Sequence, residues 1–300
     1  MTSAPFAEAT QSQASPGLRH RRYKRVVNAL LGSKGVIGVV LVTTFALIAL
    51  VTPLLVPFEL STQIDVRARL SPPSADHLLG TDQLGRDLFF RVLLGARTSM
   101  LIALVSVGLS IVIGLPIGIV AGYFKGWADH LLGRLIDTLL SFPAILLALA
   151  ISAVLGPNVR NTILAIGIAF APYLARVVRG ETLRVSSLPY IEAARSQGAS
   201  SFRIIRKHVL PNIMAPVIVQ ATISVAFAIL AEAGLSFLGL GTQPPTPSWG
   251  LMIQASRDYL DVAPWTALVP GMAVALSVLG LNMLGDVLRD VLDPTSGGAR

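Results

Sequence analysis

The sequence predicts an all-α polytopic membrane protein with six transmembrane helices. Only 13% of its 300 residues are charged while 53% are hydrophobic, and the mean hydropathy is +0.69. A soluble domain of this length carries roughly 25% charged residues. The second observation is a series of long apolar stretches, at residues 35–58, 99–124, 135–155, 162–175, 213–240 and 265–285. Crossing a hydrocarbon core takes about 20 apolar residues. Five stretches reach that length, and the fourth does so if residues 157–161 open it. Asp137 alone interrupts the third stretch, and Glu232 alone the fifth.

Residues 1–34 read as a polar cytoplasmic tail whose basic patch, at residues 19–25, suits an anionic inner leaflet. The tail is too long for the n-region of a secretory signal, and the stretch after it exceeds a signal h-region, so residues 35–58 read as a retained helix. Residues 59–98 follow as an extracytoplasmic segment, rich in Pro and charge at first and amphipathic later, which sets span one apart. Residues 99–290 form the core of five spans, with a cytoplasmic loop at 182–211, and residues 291–300 form a cytoplasmic tail. Seventeen of the 24 Lys and Arg residues fall in the tails and the even-numbered loops. The positive-inside rule then puts both termini and residues 187–211 in the cytoplasm. Topology therefore accounts for the net charge of +8 without a nucleic-acid partner. The absence of cysteine excludes disulfides and thiolate metal sites.

Within the spans, Gly114, Gly118 and Gly122 recur at steps of four and stack on one face of span two. Such a ridge lets another helix approach closely in lipid, within the chain or across subunits. Pro116, Pro143, Pro172, Pro216 and Pro270 each remove a backbone donor, which is tolerated beside a protein neighbour or a wet cavity. Glu232, a rare membrane carboxylate, suits either the amino group of an entering solute or a structural hydrogen bond holding residues 234–241, and the structural role is favoured. Asp137 reads as a structural partner for Arg134 or another span. Arg176, Arg179 and Glu181 are expected to brace the loop that follows span four. His20, His77, His130 and His208 are scattered, so no metal cluster is expected. No GxxxxGK[ST] loop exists for nucleotide phosphates.

The loop at residues 190–212, YIEAARSQGASSFRIIRKHVLPN, carries the most information. Ser187 is placed to cap a helix that starts at Leu188-Pro189, with proline in the first turn. That helix contains Glu192, Ala193 and Ala194 and stops at Gly198 in a left-handed C-terminal turn. Ser200 starts a second short helix, with Phe202, Ile205 and Val209 on its apolar side and Arg203, Arg206 and Lys207 facing water. Pro211, after Leu210, is expected to end it and hand over to span five. Two amphipathic helices lying passively at the membrane surface are the bland alternative. An EAA triplet, a glycine four residues on and Leu-Pro twelve residues further favour a docking element instead.

This loop resembles the EAA signature of permease subunits in ATP-binding-cassette importers. The family pattern has an isoleucine two residues before the Leu-Pro, where this chain has His208, as in the peptide-transporter branch. The blocks HLLGTDQLGRD (77–87), EAGLSFLGLG (232–241), PPTPSWG (244–250), APW (263–265), NMLGD (282–286) and LRDVLDP (288–294) narrow the resemblance to the dipeptide/oligopeptide and nickel permeases. It covers residues 35–294 and is closest to the dipeptide permease subunit that pairs with a second, different permease. The resemblance implies a type I importer core in which Glu192, Ala193, Ala194, Gly198, Leu210 and Pro211 form the ATPase-coupling element. It also implies a heterodimer with a second homologous permease, two ATPase subunits or domains, and an extracytoplasmic peptide-binding protein. ATP and Mg would bind those ATPases, leaving this chain with no cofactor of its own. A nickel-type permease remains an alternative within the family. A stand-alone secondary transporter is disfavoured by the lack of paired interrupted helices, and a membrane enzyme by the lack of a nucleophile–base pair.

Overall fold

The computed structural model describes residues 32–292. The N-terminal tail through residue 31, with its basic patch, and residues 293–300 of the C-terminal tail lie outside the described residues. The helices are α1 (Ser33–Leu55), α2 (Leu88–Phe124), α3 (Gly126–Leu140), α4 (Ala144–Leu155), α5 (Val159–Ser186), α6 (Pro189–Ser196), α7 (Ser201–Ile204), α8 (Leu210–Phe237), α9 (Trp249–Ala255) and α10 (Trp265–Leu292). Among the described residues, five helical segments are long and apolar enough to cross a membrane, and six if α3 and α4 count as one bent span.

Several boundaries differ from the expectation. Span two begins at Leu88 instead of 99, because the Asp87 carboxylate accepts the Phe89 amide at 2.8 Å and caps the helix in what reads as a loop. The fourth stretch lengthens to Val159–Ser186, capped by Asn158, which accepts the Asn161 amide at 2.8 Å. Span three is not one helix: α3 and α4 meet at 88°. Pro143 explains the break, since its ring disfavours a helical residue 142 and it offers no amide. Span one does not stand apart, for α1 lies along α10. A β-carbon on Gly280 would sit 2.7 Å from Leu41 Cβ, and one on Gly38 2.9 Å from Met283 Cβ.

The glycine ridge of α2 packs against α5 within the chain. A β-carbon at Gly114 would lie 2.7 Å from Ala171 O, at Gly118 2.6 Å from Ala175 O, and at Gly122 2.7 Å from Arg179 O. Both helices advance together along this seam, so α2 and α5 run parallel. The bent α3–α4 pair returns the chain between them. Helix α10, parallel to α2 and α5, and α1 and α8, antiparallel, complete the bundle around a core that includes Ala103, Ile166, Ile229 and Trp249. Residues 33 and 292 therefore lie at the same end as α6.

Residues 56–87 form a strap across the other end. Asp82 gathers it: Oδ1 accepts the amides of Leu84 at 2.8 Å and Arg86 at 3.0 Å, and Oδ2 accepts Arg86 Nε at 2.7 Å. Arg91, buried in the first turn of α2, donates to Ser61 O at 2.9 Å. Thr81 Oγ1 donates to Ala68 O, and Trp265 Nε1 to Thr81 O at 3.3 Å. Gly85 has φ +75°, and a β-carbon there would meet Asp65 O at 1.7 Å, so the strap tolerates only glycine at this turn.

Gly118→Leu is expected to lower stability by about 3 kcal/mol or more through overpacking against α5. Gly108→Ala, on the same helix with no neighbour within 4 Å of the added carbon, should leave it unchanged. Thermal unfolding of the purified variants in detergent, read as recovery of monodisperse protein, checks both.

Candidate functional site

At the α6 end, two short helices are held against the bundle by a small set of apolar side chains. Ile191 of α6, Ile204 of α7 and Val209 are fully buried, packed with Ile119, Tyr123, Val178 and Val185 of α2 and α5. Each such burial contributes about 2 kcal/mol. Arg195 lies over the Tyr123 ring, 5.1 Å from its centroid, and Tyr190 sits 5.9 Å from the His208 ring. These contacts fix the element to the span ends while its other face stays open.

The start of α6 differs from the expectation. Leu188 occupies the capping position without a side-chain bond, while Ser187 Oγ donates back to Arg184 O at 2.9 Å. Ser187 thus closes α5, because its hydroxyl meets the last carbonyls of that helix first. Pro189 begins α6 as anticipated. The end of α6 is a Schellman turn: the Gly198 amide donates to Arg195 O at 2.9 Å and the Ala199 amide to Ala194 O at 3.0 Å. Gly198 has φ +77°, which glycine adopts without strain, and nothing lies within 4 Å of where a β-carbon would point. Glu192, Ala193 and Gly198 are exposed and Ala194 is half-buried. The sealed face holds the loop in place, and the open face presents these four residues outward.

Ser200 caps α7, accepting the Arg203 amide at 3.4 Å. Beyond it Pro211 does not end the helix. Residues Ile205–Val209 form a π turn, Leu210 donates to Ile205 O, and the helical rod runs unbroken over Ser201–Phe237. Asn212 Nδ2 donates to His208 O at 2.6 Å, supplying a side-chain donor beside the proline that lacks an amide. The wider turn also changes which residues face inward. At 3.6 residues per turn, Phe202, Ile205 and Val209 would share a stripe. With one extra residue in the turn, Ile204 and Val209 are buried, Ile205 is half-buried and Phe202 is 73% exposed.

The charges on α5 serve a different element from the one expected. Arg179 grips Asp129 of α3 through two bonds, Nε to Oδ1 at 2.5 Å and Nη2 to Oδ2 at 3.0 Å. Arg176 bonds Asp137 at 2.7 Å, so Asp137 pairs with α5 and not with Arg134. Glu181 accepts from Arg184 of its own helix. Arg176 and Arg179 thus hold α3 across α5 instead of bracing α6, and Glu181 stays within α5.

Glu232 lies near the opposite end of α8 and is fully buried. Its Oε1 accepts Ser236 Oγ at 2.7 Å and Thr242 Oγ1 at 3.4 Å, and Oε2 accepts Ser99 Oγ of α2 at 3.0 Å. The same Ser99 oxygen accepts the Trp249 amide at 3.3 Å. One carboxyl group therefore ties α2, α8 and α9 together through hydroxyls. Sequence reasoning missed Ser99 and Thr242 as its partners, and Trp249 behind Ser99, since Ser99 is 133 residues away and nothing local marks the pairing.

Residues 114–296 match the family described as binding-protein-dependent transport system inner membrane component. The dipeptide transport system permease protein DppC of Alkalihalophilus pseudofirmus is 45% identical, over 86% of this chain and 85% of its own. The di/tripeptide transport system permease protein DppC of Pseudomonas aeruginosa is 42% identical, over 98% of this chain and 97% of its own. The fold is shared with a chain of the solved MetNI methionine ABC transporter in an inward-facing conformation, with a TM-score of 0.57 and 19% identity over 68% of this chain and 97% of that one.

Glu232→Ala is expected to lower stability by about 3 kcal/mol, because it opens a cavity and strands three buried hydroxyls. Glu232→Gln, which keeps the volume and an acceptor oxygen, should recover most of that loss in the same thermal assay.

Proposed function

We propose, on the premise that this chain belongs to the family of binding-protein-dependent transport system inner membrane components, that it carries dipeptides or short oligopeptides into the cytoplasm. The chain is a permease subunit of an ATP-binding-cassette importer, works with other permease and ATPase subunits, and is not itself an enzyme. The names of its relatives support a peptide substrate and do not favour the nickel alternative. A stand-alone secondary transporter is set aside, since those relatives are permeases of transport systems. The second permease is a homologous but different chain, and the two share the pathway. An extracytoplasmic peptide-binding protein delivers the substrate, and ATP and Mg bind the partner ATPases.

The α6–α7 surface carries this reading. It is sealed to the bundle by Ile191, Ile204 and Val209 yet presents Glu192, Ala193 and Gly198 to solvent. Docked in an ATPase cleft, it would move when ATP closes the ATPase pair, and α8 and α5 would move with it. The inward- and outward-facing states then differ in their affinity for ATP-bound partners, which is what lets nucleotide shift one into the other. The excess of Lys and Arg at this end supports a cytoplasmic α6 and an extracytoplasmic strap.

A cysteine at Ser200 in this cysteine-free chain should resist a membrane-impermeant thiol reagent in whole cells, while one at Thr246 should react. The opposite pattern would invert the topology and remove the docking surface from the ATPase side.

Gly198→Val and Ala193→Glu should leave the protein in the membrane near its normal abundance, because both sites face outward. At Gly198 a side chain meets a left-handed backbone penalty of roughly 1–2 kcal/mol, which the fold absorbs. Both changes are expected to abolish peptide uptake and substrate-stimulated ATP hydrolysis in the reconstituted importer. Normal import with normal stimulation would refute the coupling role.

A further inference from the structure

The most exposed aromatic side chain on this surface is one that the helical repeat would have buried. Phe202 is 73% exposed in α7. The π turn puts it there: by carrying one extra residue between Ile204 and Val209, it aligns those two inward and rotates Phe202 out. An α-helical turn would have placed Phe202, Ile205 and Val209 on one inward stripe. Single π turns inside α-helices recur at functional sites, and here the consequence of the turn is a bare phenyl ring. The ring stands among cations. Arg203, Arg206 and Lys207 are all exposed, and none of them is ion-paired within the described residues. In front of Gly198, four positions before Phe202, the space is open.

We propose that Phe202 is the aromatic anchor of the ATPase contact. It inserts into an apolar pocket of the ATPase surface whose rim is acidic and meets Arg203, Arg206 and Lys207. This rests on the coupling role given to α6 and α7, and it adds the residue that carries most of the affinity and the chemistry of the receiving cleft. The occupant follows from charge and continuity. Three cations around one aromatic ring fit a pocket with an apolar floor and acidic rim, and the ring adjoins the Ala193–Gly198 turn. Interface energy concentrates in a few aromatic and arginine side chains near the centre of a contact. Rim charges act mainly on association rate and salt dependence.

The test uses the assembled permease pair in lipid nanodiscs, titrated with its ATPase subunits. Phe202→Ala should weaken ATPase binding about tenfold or more, and Phe202→Leu should restore it to within about threefold of the native value. Raising salt should weaken the native and Phe202→Ala proteins in parallel, because the cations act apart from the ring. Unchanged affinity for Phe202→Ala would overturn the proposal. So would a Phe202→Trp protein whose emission is quenched by brominated lipid and unaffected by added ATPase, since the ring would then sit in the membrane. Gly198→Val, measured alongside, separates this proposal from the reading beneath it. Weak binding by Gly198→Val with normal binding by Phe202→Ala removes the anchor alone. Normal binding by both removes the docking surface.

Discussion

The backbone contact between α2 and α5 constrains everything else in this chain. Three glycines at steps of four allow the carbonyls of Ala171, Ala175 and Arg179 to approach to within 2.7 Å of where a side chain would begin. That seam fixes two sequential long helices as parallel neighbours. Parallel neighbours need a return crossing, and the chain makes it with α3 and α4. The return is bent, so α3 lies across α5 and needs its own attachment there. The Arg179–Asp129 fork and the Arg176–Asp137 pair supply it. Aligned in register, α2 and α5 also bring their far ends together, and the apolar cluster that seats α6 forms there.

The helical rod from Ser201 to Phe237 joins two regions with different polar chemistry. At 1.5 Å per residue it spans about 55 Å. One end carries exposed cations and the open glycine turn. The other carries a buried carboxyl group held by hydroxyls from three elements. The rod stays helical through Pro211 because the π turn accommodates it, so the two ends belong to one continuous helix. Glu232 ties α2 and α9 to α8 at the second end.

Much of this was legible in the residues. Apolar length located five long helices and the bent α3–α4 pair, the glycine spacing marked a packing seam, and Gly198 was recognisable as a left-handed helix stop. What escaped has a common cause. The α2 start at Leu88, the α3–α4 elbow and the π turn each depend on where a carbonyl or a carboxylate finds its partner, and average apolar content is blind to that. Phe202 shows the effect most clearly. A repeat of 3.6 residues assigned it inward together with Ile205 and Val209, and one additional residue in a single turn reversed the assignment. Glu232 was recognisable as structural, but its partners were not, since Ser99 and Thr242 are ordinary hydroxyls in apolar or loop sequence.

The strap over the far end of the bundle is closed by Asp82, Arg86, Arg91, Thr81 and a glycine that nothing else can replace. A short segment with little apolar core of its own can be stapled by a disulfide, but this chain has no cysteine. Its closure is therefore indifferent to oxidants and thiols. The clasp of Asp82, Arg86 and Arg91 on the start of α2 is the same in a reducing or an oxidising medium.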